Sequence, residues 1–156
     1  MDASLNQAML EISYGRMALK VHSIERALVL ISAARLSDSP KECDSLIEKY
    51  KKLPLGKLVG LVRDKAFFDS EINDHLQNLV KVRNELVHEV GDLVSDSIFS
   101  GGKAGDIIEY IASFTGFLNN TLDFLRNELI NAVELKGIDF SKLQDISYKA
   151  VAKWHS

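Results

Sequence analysis

The sequence predicts an all-α fold, an antiparallel helical bundle of about four long helices plus short satellite helices. Three observations lead there. Apolar residues recur at spacings of three and four along most of the 156 residues, which is the helical period. The chain has only two prolines, and its nine glycines fall mostly where helices should break. No run alternates apolar and polar residues as a half-buried strand does, and there is no internal repeat or low-complexity segment. The length suits one domain, 1–156, with 138–156 as a C-terminal accessory helix.

The first helix is predicted from about Ala3 to Arg35, with Asp2 as its N-cap. Leu5, Met9, Ile12, Met17, Ile24, Leu28 and Ile31 form its expected inward line, and Gly15 is a point where it can bend. Ser37-Asp38-Ser39-Pro40 breaks the chain. Ser39, Pro40 and Glu42 then supply a cap, a proline at the first helical position and a capping-box acid. This short helix runs to about Lys52. Pro54 opens another, with Leu55, Leu58, Val59 and Val62 on one face. The next helix starts at Asp69 or Ser70 and carries Ile72, Leu76, Leu79, Leu86 and Val90. Ser100-Gly101-Gly102 reads as a loop and Asp106 as the cap of a long helix. Ile107, Ile111, Phe114, Leu118, Leu122, Leu125, Leu129 and Val133 make that helix's stripe, and Gly137 ends it. A last helix should start at Asp139 or Ser141, with Leu143, Ile146, Ala150 and Trp154 inward.

Composition narrows the function classes. Cys43 is the single cysteine, so no internal disulfide can form and no oxidising compartment is needed. It has no evident catalytic partner. The N-terminus lacks a basic segment followed by an apolar run, and no stretch reaches the ~18 apolar residues of a spanning helix. A soluble cytoplasmic protein is expected. There is no HExxH string, and Gly101-Gly102-Lys103 lacks the rest of a phosphate-binding loop motif, so neither a metal nor a cofactor is expected.

Net charge is −3, which disfavours a broad nucleic-acid surface. The charge is uneven, however. Lys49, Lys51, Lys52, Lys57, Arg63 and Lys65 lie close together with Asp64 as the only acid among them. Lys49, Lys51, Lys52, Lys57 and Arg63 are candidates for holding RNA phosphates. The same cluster also reads as a solvated turn between two helices.

The pattern breaks at position 83. Along the fourth main helix the core line runs Ile72, Leu76, Leu79, position 83, Leu86, Val90, and position 83 is Arg83. A guanidinium keeps its charge, and burying one unpaired is costly. Arg83 therefore has either a buried acid partner, with Glu25 of the first helix a candidate, or a site to serve. Asn84 and His88 are four apart and share a face, so the amide could hold the imidazole and set its tautomer. Arg83 and His88 diverge by about 140° and about 7.5 Å along a regular helix. One phosphate reaches both only if the helix bends or if two copies share a cleft across a two-fold axis.

The string VRNELVHEV, with Arg83, Asn84 and His88, resembles the Arg-polar-x-x-x-His signature of the HEPN superfamily. The preceding LPLGKLVGLV segment also looks like many members, among them the mannitol-operon repressor-like proteins with their similar RNE-x-x-H string. The motif covers six residues, Arg83 to His88; the helical layout covers about residues 5 to 135. The resemblance implies a compact helical bundle, a homodimer with both motifs lining one cleft and, in active members, metal-independent RNA cleavage. His88 would then be the general acid/base, Arg83 the phosphate clamp and Asn84 a group that orients His88 or binds phosphate. Members act as toxins with an antitoxin partner, as phage-defence effectors, or as non-catalytic regulators that bind nucleotides or proteins.

Other residues are expected to be structural. Asp74 and His75 should lie on the surface. His22 and Glu25, three apart, should form a solvated pair. Glu85 and Glu89 should point away from any phosphate. Phe67, Phe68, Phe114, Phe117 and Phe124 should serve the core or a dimer contact.

Overall fold

A computed structural model describes residues 3–100 and 104–136. Asp2, the Gly101-Gly102-Lys103 segment, Gly137 and the expected last helix with Leu143, Ile146, Ala150 and Trp154 lie outside the described residues. The described chain forms five helices: α1 (Ala3–Leu36), α2 (Pro40–Tyr50), α3 (Leu55–Asp64), α4 (Ser70–Ser100) and α5 (Ala104–Leu135). Three of these are long, at 34, 31 and 32 residues for α1, α4 and α5.

Long-range contacts set their directions. Arg35 at the end of α1 meets Glu128 near the end of α5, and Lys136 Nζ donates to the Ser37 carbonyl at 2.8 Å. α1 and α5 therefore run parallel. Phe68, just before α4, packs on Phe124, while His75 in α4 meets Thr121. α4 therefore runs antiparallel to both. The result is an up-down-up bundle, with α2 and α3 inserted in the first connection against the end of α1.

Local signals explain the element ends. Ser39 Oγ accepts from the Glu42 N–H at 3.2 Å, and Glu42 reaches back to accept from the Asp38 N–H at 2.7 Å. This is the expected capping box with its return bond shifted one residue outward. Pro54 starts α3 through its carbonyl, which accepts from Lys57 and Leu58. α3 ends in a Schellman motif: Ala66 N–H bonds Arg63 O, and Phe67 N–H bonds Val62 O. Ala66 takes the left-handed position, with φ 52°. Asp69 Oδ1 caps α4 by accepting from Ile72 N–H at 2.9 Å. Asp106 is not the cap of α5, because the helix already begins at Ala104. Its carboxylate lies inside the first turn, where the helix dipole favours it.

The core joins Met17, Ile24, Leu28 and Ile31 of α1, the four predicted α3 residues, Leu76, Leu79, Leu86 and Val90 of α4, and Ile111, Phe114, Leu118 and Leu125 of α5. The first turns of α1 depart from expectation. Leu5, Met9 and Ile12 are exposed, at 51%, 44% and 55%, and Leu10 is the buried residue there. α1 carries two apolar lines. The one through Leu10, Met17, Val21, Ile24, Leu28 and Ile31 faces the core. The other, through Leu5, Met9, Ile12 and Leu19, faces out. Among the described residues no helix is long and apolar enough to cross a membrane.

Candidate functional site

Arg83 interrupts the inward line of α4 and is half-buried, between Leu79 and Leu86, which are fully buried. No ion pair joins it to a carboxylate among the described residues. Its Nη1 donates instead to Asn84 Oδ1, at 2.9 Å. The expected Arg83–Glu25 ion pair is therefore not formed. The two residues do share one cleft, lined by Tyr14, Met17, Val21, His22 and Glu25 of α1 and by Arg83 and Val87 of α4, with a volume of about 130 Å³. A water's share of liquid volume is about 30 Å³, so the cleft has room for a tetrahedral oxyanion with accompanying water.

The cleft has charged groups on both walls. His22 Nδ1 lies 3.7 Å from Glu25 Oε2, with side-chain exposures of 77% and 27%. This is the expected solvated pair, but it forms one wall of the Arg83 cleft.

Asn84 and His88 are both exposed, and His88 is not part of the cleft lining. The Asn84–His88 hydrogen bond is absent among the described residues; the Asn84 amide oxygen accepts from Arg83 instead. α4 continues as α-helix from Ser70 to Ser100, so Arg83 and His88 keep the angular separation of a regular helix. Glu85 and Glu89 are exposed, as expected.

Lys49, Lys51, Lys52, Lys57 and Arg63 are all exposed, on or beside α2 and α3. None lines the cleft. Two are partly neutralised locally: Lys51 pairs with Glu48, and Arg63 Nε lies 3.2 Å from Asp64 Oδ1. Lys49 Nζ sits 5.8 Å from the centre of the Tyr50 ring. Lys52 and Lys57 form no ion pair among the described residues. Cys43 is buried, and burial pushes its thiol up, away from nucleophilic character.

Two polar sites were not foreseen. Arg35 Nη2 bonds Glu128 Oε2 at 2.9 Å, its Nη1 donates to the Phe67 carbonyl at 3.0 Å, and its guanidinium lies over the rings of Phe67 and Phe68. His75 corrects the surface assignment made for it, whereas Asp74 is exposed. His75 is half-buried, stacked on Phe117 with centroids 4.1 Å apart, and its Nε2 lies 2.8 Å from Thr121 Oγ1. Thr121 donates its own hydroxyl proton to the Phe117 carbonyl at 3.0 Å. Its oxygen must then accept from His75, which places the imidazole proton on Nε2.

Burial lowers the His75 pKa from the ordinary 6.5. The unfolded chain then takes up a proton at a pH where the folded chain resists it. This part of the stability is fully present above about pH 6.5 and is lost as pH falls through the lower folded value. In urea unfolding at about pH 7.5 and about pH 5, His75→Gln should show a smaller acid-induced loss of stability than wild type. An equal loss in both would refute the assignment.

Comparison with protein-family models, with curated proteins and with solved structures finds no match. Among the described residues no group of three or more His, Cys, Asp or Glu side chains is placed to hold a metal ion.

Proposed function

We propose that the chain is a cytoplasmic, metal-independent endoribonuclease of the HEPN type that works as a homodimer, as a toxin with an antitoxin partner or as a phage-defence effector. One observation carries the reading. Arg83 occupies a core-line position without a carboxylate partner among the described residues, is steadied by Asn84, and opens on a cleft of oxyanion size, with an exposed His88 about 7.5 Å further along the helix on a diverging face. A guanidinium held this way is suited to clamp a phosphodiester and stabilise the charge that builds on it. His88 exchanges protons with the reacting oxygens. The exposed line of Leu5, Met9, Ile12 and Leu19 gives the homodimer of this reading an apolar surface to cover.

A second reading, a non-catalytic HEPN-like regulator, is favoured by a different observation. Glu25 stands in the cleft, where it opposes phosphate, and His88 does not line it. Incubation of the protein with total RNA in EDTA, beside His88→Ala and Arg83→Ala, separates the two. The nuclease predicts cleavage by wild type that both variants lose. Equal cleavage in all three would mark a contaminant and sink the proposal. A silent wild type with folded variants selects the regulator.

A further inference from the structure

Cleavage of RNA by its own 2′-hydroxyl needs two proton-transfer groups. One takes the 2′-OH proton as the new O2′–P bond forms. The other protonates the 5′-oxygen as the P–O5′ bond breaks, leaving a 2′,3′-cyclic phosphate and a free 5′-hydroxyl. The Arg83–His88 motif supplies one imidazole per chain. On an unbroken α4, that imidazole diverges from Arg83.

The α1 wall of the cleft supplies another. We infer that His22 is the general base of this reaction and that Glu25 is its positioning residue; the inference rests on the nuclease reading above. His22, Glu25 and Arg83 line the same cleft. Glu25 approaches the Nδ1 side of His22, so the Nε2 side is left for a substrate hydroxyl. A carboxylate in that position stabilises the imidazolium that forms when the proton is taken. The 3.7 Å separation is longer than a hydrogen bond, and such contacts commonly tighten on substrate binding. The same pairing limits the repulsion between Glu25 and phosphate during the reaction. While His22 is neutral and ready to accept a proton, Arg83 offsets the charge of Glu25. Once His22 has taken the 2′-OH proton, its imidazolium offsets Glu25, and the cleft retains the positive charge of Arg83 as charge builds on the phosphate. Proton balance closes across the homodimer of that reading, because His88 of the same chain does not line the cleft. His22 gains the 2′-OH proton, a protonated His88 brought by the second copy gives one to the 5′-oxygen, and solvent resets both.

The test uses the full chain and two substrates, an RNA oligonucleotide and a uridine 3′-aryl phosphate whose leaving group needs no proton. With RNA, His22→Gln should lose about 10²-fold or more in kcat with KM little changed, and Glu25→Gln should lose less. With the aryl ester, His88→Ala should recover most of its activity, because the acid is no longer needed, while His22→Gln should stay impaired. His22 is largely exposed, so His22→Gln should melt with wild type. Wild-type kcat in His22→Gln on both substrates would overturn the role of His22 and leave the nuclease reading intact. A wild type inactive on both substrates would overturn the two together.

Discussion

Arg35→Ala should lower the unfolding free energy by about 2–4 kcal/mol in urea titrations followed by circular dichroism. The figure comes from what a single side chain holds. Its fork joins the last turn of α1 to Glu128 of α5 and to the Phe67 carbonyl in the α3–α4 connection. A charge-assisted hydrogen bond contributes about 1.5–3 kcal/mol, and each guanidinium–ring contact adds about 0.5–1 kcal/mol. Arg35 and Glu128 are about a quarter exposed, so solvent screens part of the pair, and the sum is discounted accordingly. Arg35→Lys keeps the charge but loses the two-pronged geometry, and should recover less than half of the loss. Glu128→Gln keeps an acceptor for the fork, so it should cost less than Arg35→Ala. If Arg35→Ala unfolds at the wild-type midpoint, this cluster does not hold the bundle's end together.

Arg35 shows where sequence reading stopped. In the last turn of a helix, a basic residue looks like a complement to the helix dipole. Its real partner is 93 residues away, and no local pattern points to it. His75 was misjudged for the same reason: Thr121 and Phe117 reach it from another helix. Features that depend on neighbours in sequence were legible. Ser39, Pro40 and Glu42, the apolar face after Pro54 and the Asp69 start of α4 all form as read, because caps and helical periodicity are local. The inward face at the start of α1 was misread because Leu5, Met9 and Ile12 have the same spacing logic as the buried line beside them. Only packing against α5 and α4 decides between two apolar faces.

At the site, the break in the α4 stripe at Arg83 was legible, and so was Glu25 as an acid of α1 that shares its cleft. What was not legible is that the two would face each other across open space instead of pairing. His22 was read as a partner of Glu25 only, because nothing in the spacing of α1 indicates which α4 residue stands opposite.

Arg83→Leu should separate function from stability. Leucine continues the stripe of Leu79 and Leu86 on α4. Among the described residues Arg83 has no carboxylate partner that its removal would strand, so the variant should be as stable as wild type or up to about 1 kcal/mol more stable. A buried Arg83–Glu25 pair predicts the opposite sign, since breaking one partner of such a pair costs about 3–5 kcal/mol. RNA cleavage should fall by about 10²–10³-fold, the usual loss when one donor to a developing oxyanion is removed. Urea midpoints and single-turnover kinetics on the same preparation read both effects. Destabilisation with cleavage lost in proportion to unfolded protein would make Arg83 structural. Unchanged or raised stability with cleavage lost would mean that the chain keeps a charge in its core line for a phosphate, because an apolar residue there serves the fold at least as well.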